Sequence, residues 1–263
     1  MFNLNKYNYI FFKKIFFWLI PIVVVGILWE IVSRLDIVNP LLFPPPTIIW
    51  QAFLEWAKSG ELWRDVKASY WRMLLGLLIG GSFGIFIGML TGRLNNINRI
   101  ISPILQLLRP LPPVAIIPLV IVWLGIGNIA KIFSISFAVF FPVWINTHIG
   151  ATSIPNIYLW SAKILSKSKI KTTFQILIPA TLPSIIAGIR TSIAIAFIMV
   201  YVSEIAGASS GIGYQISITH LAYRIDKMMA ALTLLAIIGA LSDLLFIFII
   251  KRLFPWLNIG KDI

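Results

Sequence analysis

The stretch MLLGLLIGGSFGIFIGMLTG, Met73–Gly92, runs for twenty residues without a charge. A helix rising about 1.5 Å per residue needs about that many apolar residues to cross a hydrocarbon core of about 30 Å. The stretch therefore reads as a membrane-crossing helix. Five others are apolar over a similar length, each with only one or two charges: Ile15–Leu35, Pro103–Leu124, Ala130–Ile149, Pro183–Ser203 and Met228–Ile250. Six spans make the expected fold an all-α, polytopic membrane helix bundle. The first span is too long for a secretory leader, and no small-residue cleavage site follows it. The third is the least regular, interrupted by Pro110, Pro112 and Pro113. Broken helices are tolerated in membranes where they face protein or a water-filled path.

Composition agrees. The chain of 263 residues is 59% hydrophobic and 12% charged, with a mean hydropathy of +0.93. That is too little charge for the surface of a soluble protein of this size. The absence of cysteine excludes disulfides, thiolate metal sites and thiol nucleophiles. The two histidines, His148 and His220, are too far apart for a familiar metal motif. The net charge of +13 does not point to nucleic acid, because the basic residues lie in short segments between apolar stretches. No phosphate-binding loop, Ser/His/Asp set or catalytic carboxylate pair is present, so neither an enzyme nor a cofactor site is expected.

Charge placement predicts orientation. With the amino terminus inside, the inner segments hold Lys6, Lys13 and Lys14; Arg93 and Arg99; Lys163, Lys167, Lys169 and Lys171; and Lys251, Arg252 and Lys261, with Asp262 their only carboxylate. The outer segments mix signs, as in Asp36, Glu55, Lys58, Glu61, Arg64, Asp65 and Lys67. This positive-inside pattern predicts a multi-pass protein of the bacterial inner (plasma) membrane with both termini cytoplasmic. The expected organisation is a cytoplasmic N-terminus (1–14), a first span (15–35), an outer segment with an interfacial helix (36–66), a transmembrane domain (67–251) containing an inner loop (151–182), and a cytoplasmic C-terminus (252–263). In the outer segment, proline-rich Asn39–Thr47 should be irregular. Thr47–Trp63 then spaces Ile48, Ile49, Ala52, Phe53, Trp56 and Ala57 helically, either to pack on the bundle or to dock a partner.

The inner loop is longer than adjacent helices need. Ile157–Ile178 can form one amphipathic basic helix or two, ended by Pro179, with Pro183 opening the next span. Such a helix suits a lipid surface or a groove on a soluble partner, and periodicity does not choose.

The loop resembles that of binding-protein-dependent ABC importer permeases, which carries a Glu-Ala-Ala motif, a Gly a few residues on, and a Leu-Pro pair. Here Trp160, Ser161 and Ala162 stand at the Glu-Ala-Ala position and Ser166 at the Gly, with Lys163 and Leu165 between them. Pro179, Leu182, Pro183, Gly188 and Arg190 fit the downstream pattern. Ser69–Gly92 (SYWRMLLG…) is similar to the family's Ser-x-x-Arg-x-Leu-x-Gly opening. RPLPPVAIIPLVIVWLGIG (Arg109–Gly127), FFPVWINTHIG (Phe140–Gly150), SEIAGASSGIGYQI (Ser203–Ile216) and PWLNIGK (Pro255–Lys261) resemble, in order, the nitrate, sulfonate and taurine branch. The resemblance implies a type I ABC importer transmembrane fold and a permease subunit carrying a small solute, an anion such as a sulfonate, taurine or nitrate. It also implies a second copy of the chain, separate ATP-binding subunits hydrolysing ATP, and an extracytoplasmic substrate-binding protein. The short helix of the loop would couple to the ATPase. The rival reading, a secondary transporter, should show internal repeats and buried ion-coupling residues, and no convincing repeat is found.

Several residues have two readings. Gly76, Gly80, Gly81, Gly84 and Gly88 suit close helix packing or a sliding surface. Glu30, Arg72, Arg109, Arg190, Glu204 and Asp243 are charges within spans or at their ends. Arg72, Arg190 and Glu204 are expected near interfaces, where their charged ends reach water. Arg109, beside the proline break, is a candidate pathway contact for an oxyanion, with Asn146 and Glu204. Asn146 and Thr147 are expected to hydrogen-bond across helices, Ala206–Tyr214 to form a turn or re-entrant element, and both histidines to be packed or interfacial rather than chemical.

Overall fold

The structure is a computed structural model that describes residues 20–35, 38–155, 157, 160 and 173–257. Its elements are α1 (residues 20–34), α2 (Pro46–Lys58), α3 (Glu61–Arg93), α4 (Asn95–Leu108), a 3₁₀ turn (Pro113–Ile116), α5 (Ile117–Leu124), α6 (Asn128–Thr152), a π-helical turn (Thr173–Leu177), α7 (Ile178–Ile205), α8 (Ile212–Leu221) and α9 (Ile225–Leu253). Among the described residues there is no strand. Four helices are long and apolar enough to cross a membrane: α3, α6, α7 with its preceding turn, and α9. A fifth candidate is the pair α4 and Pro113–Leu124, bent by 86°. The third expected span is therefore two short helices rather than one irregular helix. Pro112 and Pro113 lack backbone donors, and the chain turns there instead of continuing the ladder. The first expected span lies partly outside the described residues.

The chain forms two compact units, residues Met1–Leu62 with Ile216–Leu232, and Trp63–Gln215 with Thr233–Ile263. In the first, α2 buries Ile49, Ala52 and Trp56, part of the face its sequence spacing marks out. Ile49 and Ala52 pack with Ala230, Trp29, Phe53 and Met229. This is the packing role; Trp50 stays exposed. Pro45 caps α2 in an extended conformation and Pro46 sits in its first turn. A Pro cap offers no side-chain oxygen, and Glu30 from α1 takes its place: its carboxylate accepts the Thr47 amide at 3.1 Å and the Thr47 hydroxyl at 2.8 Å. The helix expected over Thr47–Trp63 is interrupted. It stops at Lys58, Gly60 takes φ +78°, and α3 starts at Glu61 with the Ser59 hydroxyl accepting its amide.

In the second unit Met73, Ile117, Ile135, Val139, Val143, Ile193, Phe197, Met199 and Val200 form the core between α3, α5, α6 and α7. Close packing sets the contact of α3 with α6. A Cβ on Gly84 would sit 2.8 Å from the Val143 Cβ, and one on Gly88 would sit 2.6 Å from that of Thr147. The glycine repeat thus packs helix on helix. On α6, 56% of the most apolar window is buried, against 6% on α9. The helix of α7 begins before Pro183, which lies in its interior, and Pro179 sits in its first turn rather than ending an earlier helix. The wide π-helical turn at Thr173–Leu177 leads the chain into the span.

Candidate functional site

Asp65, Ser69 and Arg72 follow i, i+4, i+7 along α3 and so share one face. That face meets the carboxyl end of α7, the amino end of α6 and the turn between α7 and α8. Arg72 and Glu204 are 5% and 1% exposed, and Arg72 Nη1 donates to Glu204 Oε1 at 2.6 Å. The same Nη1 reaches the Ser210 carbonyl at 2.7 Å, and Nε donates to Asn128 Oδ1 at 2.8 Å. Glu204 also accepts from the Ser69 hydroxyl at 2.9 Å and from the Gly213 amide at 2.8 Å. The Ser69 oxygen in turn accepts the Ile212 amide at 2.8 Å. Asp65 takes the Gly211 amide at 2.9 Å and the Gln215 side-chain amide at 2.8 Å. The Lys131 ammonium donates to the Gly127 and Gly207 carbonyls at 3.3 and 3.2 Å. These partners satisfy the charges, as burial in a bundle requires. Gly207 and Gly211 adopt φ +125° and +127°, and a Cβ on Gly213 would lie 2.7 Å from the Tyr201 carbonyl oxygen. The turn is therefore possible only with glycine at these points. Ala206–Gly211 is a turn leading into α8, and the amides of Gly211, Ile212 and Gly213 where the two join donate to the knot.

The other end of the same helix pair is built differently. Gly150 of α6 packs against α7, where a Cβ would lie 3.1 Å from the Thr181 methyl. Beside it a cleft of about 490 Å³ is lined by Ser153, Ile154, Gln175, Pro179, Ala180 and Ser184, among others. It lies where the inner loop leaves α6 and re-enters α7. Trp160 is exposed; Ser161, Ala162, Lys163, Leu165 and Ser166 lie outside the described residues. Among the described residues no group of His, Asp or Glu is arranged to hold a metal.

Residues 80–259 match the model of the family described as "Binding-protein-dependent transport system inner membrane component". The chain belongs to this family. Two curated relatives extend the match over most of its length. One is the "Putative aliphatic sulfonates transport permease protein SsuC" of Bacillus subtilis, 34% identical across 91% of this chain and 87% of that protein. The other is the "Taurine transport system permease protein TauC" of Escherichia coli, 30% identical across 87% and 85%. Among solved structures, an amino acid ABC transporter chain matches with a TM-score of 0.59 at 17% identity, covering 78% of this chain and 98% of that one. A chain of the MetNI methionine ABC transporter matches at 0.58 and 18%, covering 76% and 97%. At these identities the structures establish the fold: a type I ABC importer transmembrane bundle.

In this permease the sequence-nominated charges are placed as follows. The charged ends of Arg72 and Glu204 do not reach water; they are buried and paired, and glycine-turn amides and neighbouring hydroxyls take the place of water. Glu204, named above as a pathway candidate, is 1% exposed and ties α7 to α3 and to the glycine turn through these bonds. Arg109 caps α4 at the 86° break, is exposed, and pairs with no carboxylate among the described residues. Asn146 donates to Pro142 in its own helix at 2.8 Å, and the Thr147 hydroxyl is buried without a partner. Neither makes the expected cross-helix bond, because α3 meets Thr147 with the bare backbone of Gly88. His148 is packed, its Nδ1 3.0 Å from the Thr91 hydroxyl, which Trp144 also bonds. Asp65, Asn128 and Lys131 escaped sequence reading; the i, i+4, i+7 spacing of Asp65, Ser69 and Arg72 was the signal available.

Proposed function

We propose that this permease forms, with a second copy of itself, the pathway of an ATP-driven importer for small sulfonate-type anions. Two ATP-binding subunits dock against the loop around Trp160, Ser161, Ala162, Lys163, Leu165 and Ser166. An extracytoplasmic binding protein delivers the solute at the end carrying the ionic knot. Both termini and the 151–182 loop are cytoplasmic. The observation that carries this reading is the contrast along α6 and α7: one end has its charges bonded internally, and the other emits a loop with Lys163, Lys167, Lys169 and Lys171. The sulfonate class is supported by the two curated relatives. The knot fixes the Gly207–Gly213 turn as a cap over the outer end, and ATP-driven movement of the loop tilts α6 and α7 beneath it. Arg109, exposed at the break of α4 and α5, contacts the anion on its way.

The test is co-purification followed by uptake. The solubilised permease should retain an ATP-binding subunit, and vesicles containing the complex should accumulate taurine or ethanesulfonate only with ATP and a loaded binding protein. Uptake that continues without ATP would sink the importer reading. Reporter fusions active on the outer side of the membrane at either terminus would reverse the orientation.

A further inference from the structure

A second ion pair lies midway along two spanning helices and away from the knot. Arg190 of α7 and Asp243 of α9 form a bidentate contact, Nε to Oδ1 at 3.0 Å and Nη2 to Oδ2 at 3.1 Å. Arg190 is twelve residues beyond Ile178, about 18 Å along the helix, and Asp243 is ten residues before Leu253, about 15 Å from that end. Both charges are therefore at hydrocarbon depth. Their side chains are nevertheless 37% and 33% exposed. An ion pair at that depth with a third of its surface open borders water or protein, not acyl chains.

The two helices identify which side it opens on. Along α9 the exposed residues near Asp243 are Leu241, Leu244, Leu245 and Phe248, a surface suited to lipid. Along α7 the exposed residues within two turns of Arg190 are Pro183, Ala187, Thr191 and Ala194, at helical spacing, and the bulkier Ile198 continues the same face one turn further on. Next to Arg190 the face is small, and the Thr191 hydroxyl donates to the Ala187 carbonyl at 3.0 Å. A bulky apolar face and a small, partly polar face thus meet along the seam that Arg190 and Asp243 close.

We infer that Arg190 is a solute contact within the pathway: its guanidinium exchanges the Asp243 carboxylate for the oxyanion of the solute as the anion passes the α7 face. A planar guanidinium that binds one carboxylate through two N–H groups presents the same fork to a sulfonate. Asp243 keeps the site neutral when it is empty, so the cation at hydrocarbon depth is never unpaired. This role rests on the anion-importer reading above, and it adds Arg190 and the face of Ala187, Thr191 and Ala194 to the path.

The chain has no cysteine, so single cysteines report accessibility without background. Thr191→Cys and Leu244→Cys would be tested in vesicles holding the permease with cysteine-free partner subunits. The anionic, membrane-impermeant reagent sulfonatoethyl methanethiosulfonate should label Thr191→Cys and not Leu244→Cys, and ethanesulfonate should slow that labelling. No labelling of Thr191→Cys, or its oxidation to a disulfide between two copies, would overturn the proposal by placing the face in lipid or in an interface. Arg190→Gln should lower ethanesulfonate uptake by about tenfold or more, the scale of one lost charge-assisted hydrogen bond, while ATPase stimulation by the loaded binding protein persists. The double variant Arg190→Asp with Asp243→Arg should restore the amount of assembled complex but not uptake. Restored uptake would instead make the pair a simple tie between α7 and α9. Wild-type vesicles separate the readings: absence of ATP-dependent uptake faults the importer, and uptake of neutral solutes alone faults the anion class. Failure confined to the variants faults only Arg190.

Discussion

The two ends of the α6–α7 pair solve the problem of polar groups in a membrane protein in opposite ways. At one end Asp65, Arg72, Lys131 and Glu204 are each under a tenth exposed, and backbone amides, carbonyls and hydroxyls of the same chain satisfy them. At the other, Arg93 reaches the Ala151 carbonyl at 3.2 Å, and the sequence between α6 and α7 carries only basic charges. An end bonded to itself is stiff and has little capacity to respond to a partner. In the function proposed above, the loop receives force and the knot retains shape.

The largest effect should come from breaking the knot. Arg72→Ala leaves Glu204 buried without its main partner, and removing one member of such a pair costs about 3–5 kcal/mol. The expected outcome is loss of folded permease from the membrane, read as the fraction surviving detergent extraction and gel filtration. Glu204→Gln should do the same less severely, because the amide oxygen still accepts from Ser69 and Gly213. If Arg72→Ala left thermal stability unchanged, the contrast between the ends would collapse. Next in size is the α3–α6 seam. Gly84→Leu forces a side chain into space held by Val143 and the Phe140 carbonyl; overpacking of this kind costs about 1–3 kcal/mol. Gly81→Leu, where nothing lies within 4 Å, is the control and should be tolerated.

Sequence made much of this legible, and where it failed the reason is physical. Hydropathy over about twenty residues is a local property, so α3, α6, α7 and α9 were readable from the chain alone. The glycine repeat was readable too, because a period of four on a helix is a face. Helix ends were harder. Ser59–Gly60 interrupts an apolar periodicity that looked continuous, and a π-helical turn carries the chain into α7 ahead of two prolines that looked like boundaries. Partners were hardest. Ser69 and Glu204 are 135 residues apart, and nothing local in either says that a glycine turn will bring amides between them. Arg72 and Glu204 therefore read as separate end-of-span charges, although each is the other's reason for being buried.

The loop end permits a gentler test. If it receives force through a short helix docked on an ATP-binding subunit, a tryptophan at the family's acidic position and a serine at its glycine position should both weaken transmission. A residue other than glycine restricts the backbone where the chain must turn or approach a partner closely. Ser166→Gly and Trp160→Glu should each raise solute uptake per ATP hydrolysed, by a few-fold at most, without altering thermal stability. A matching change in stability would mean that the loop end is also bonded internally, and the contrast would weaken.

The smallest expected effect lies between the ends and asks whether the seam tolerates a polar group it does not use. Thr147 is fully buried, and its hydroxyl has no partner among the described residues, although its methyl and Cβ pack against Gly88. An unpaired buried hydroxyl costs about 1–3 kcal/mol of desolvation, whereas replacing it with an apolar group of the same shape can be nearly neutral or stabilising. Thr147→Val keeps that shape against Gly88 and removes the unused hydroxyl. The variant should melt at the same temperature as the parent or slightly higher, with uptake unchanged. A loss of stability would show that the hydroxyl is bonded in the working complex, to water or to a neighbouring copy, and that the seam is wetter than this arrangement of α3 and α6 implies. Thr91, one turn away on α3, is the counterexample that sets the scale. Its hydroxyl donates to Ile87 at 2.8 Å and bonds Trp144 and His148, so Thr91→Val should destabilise where Thr147→Val does not.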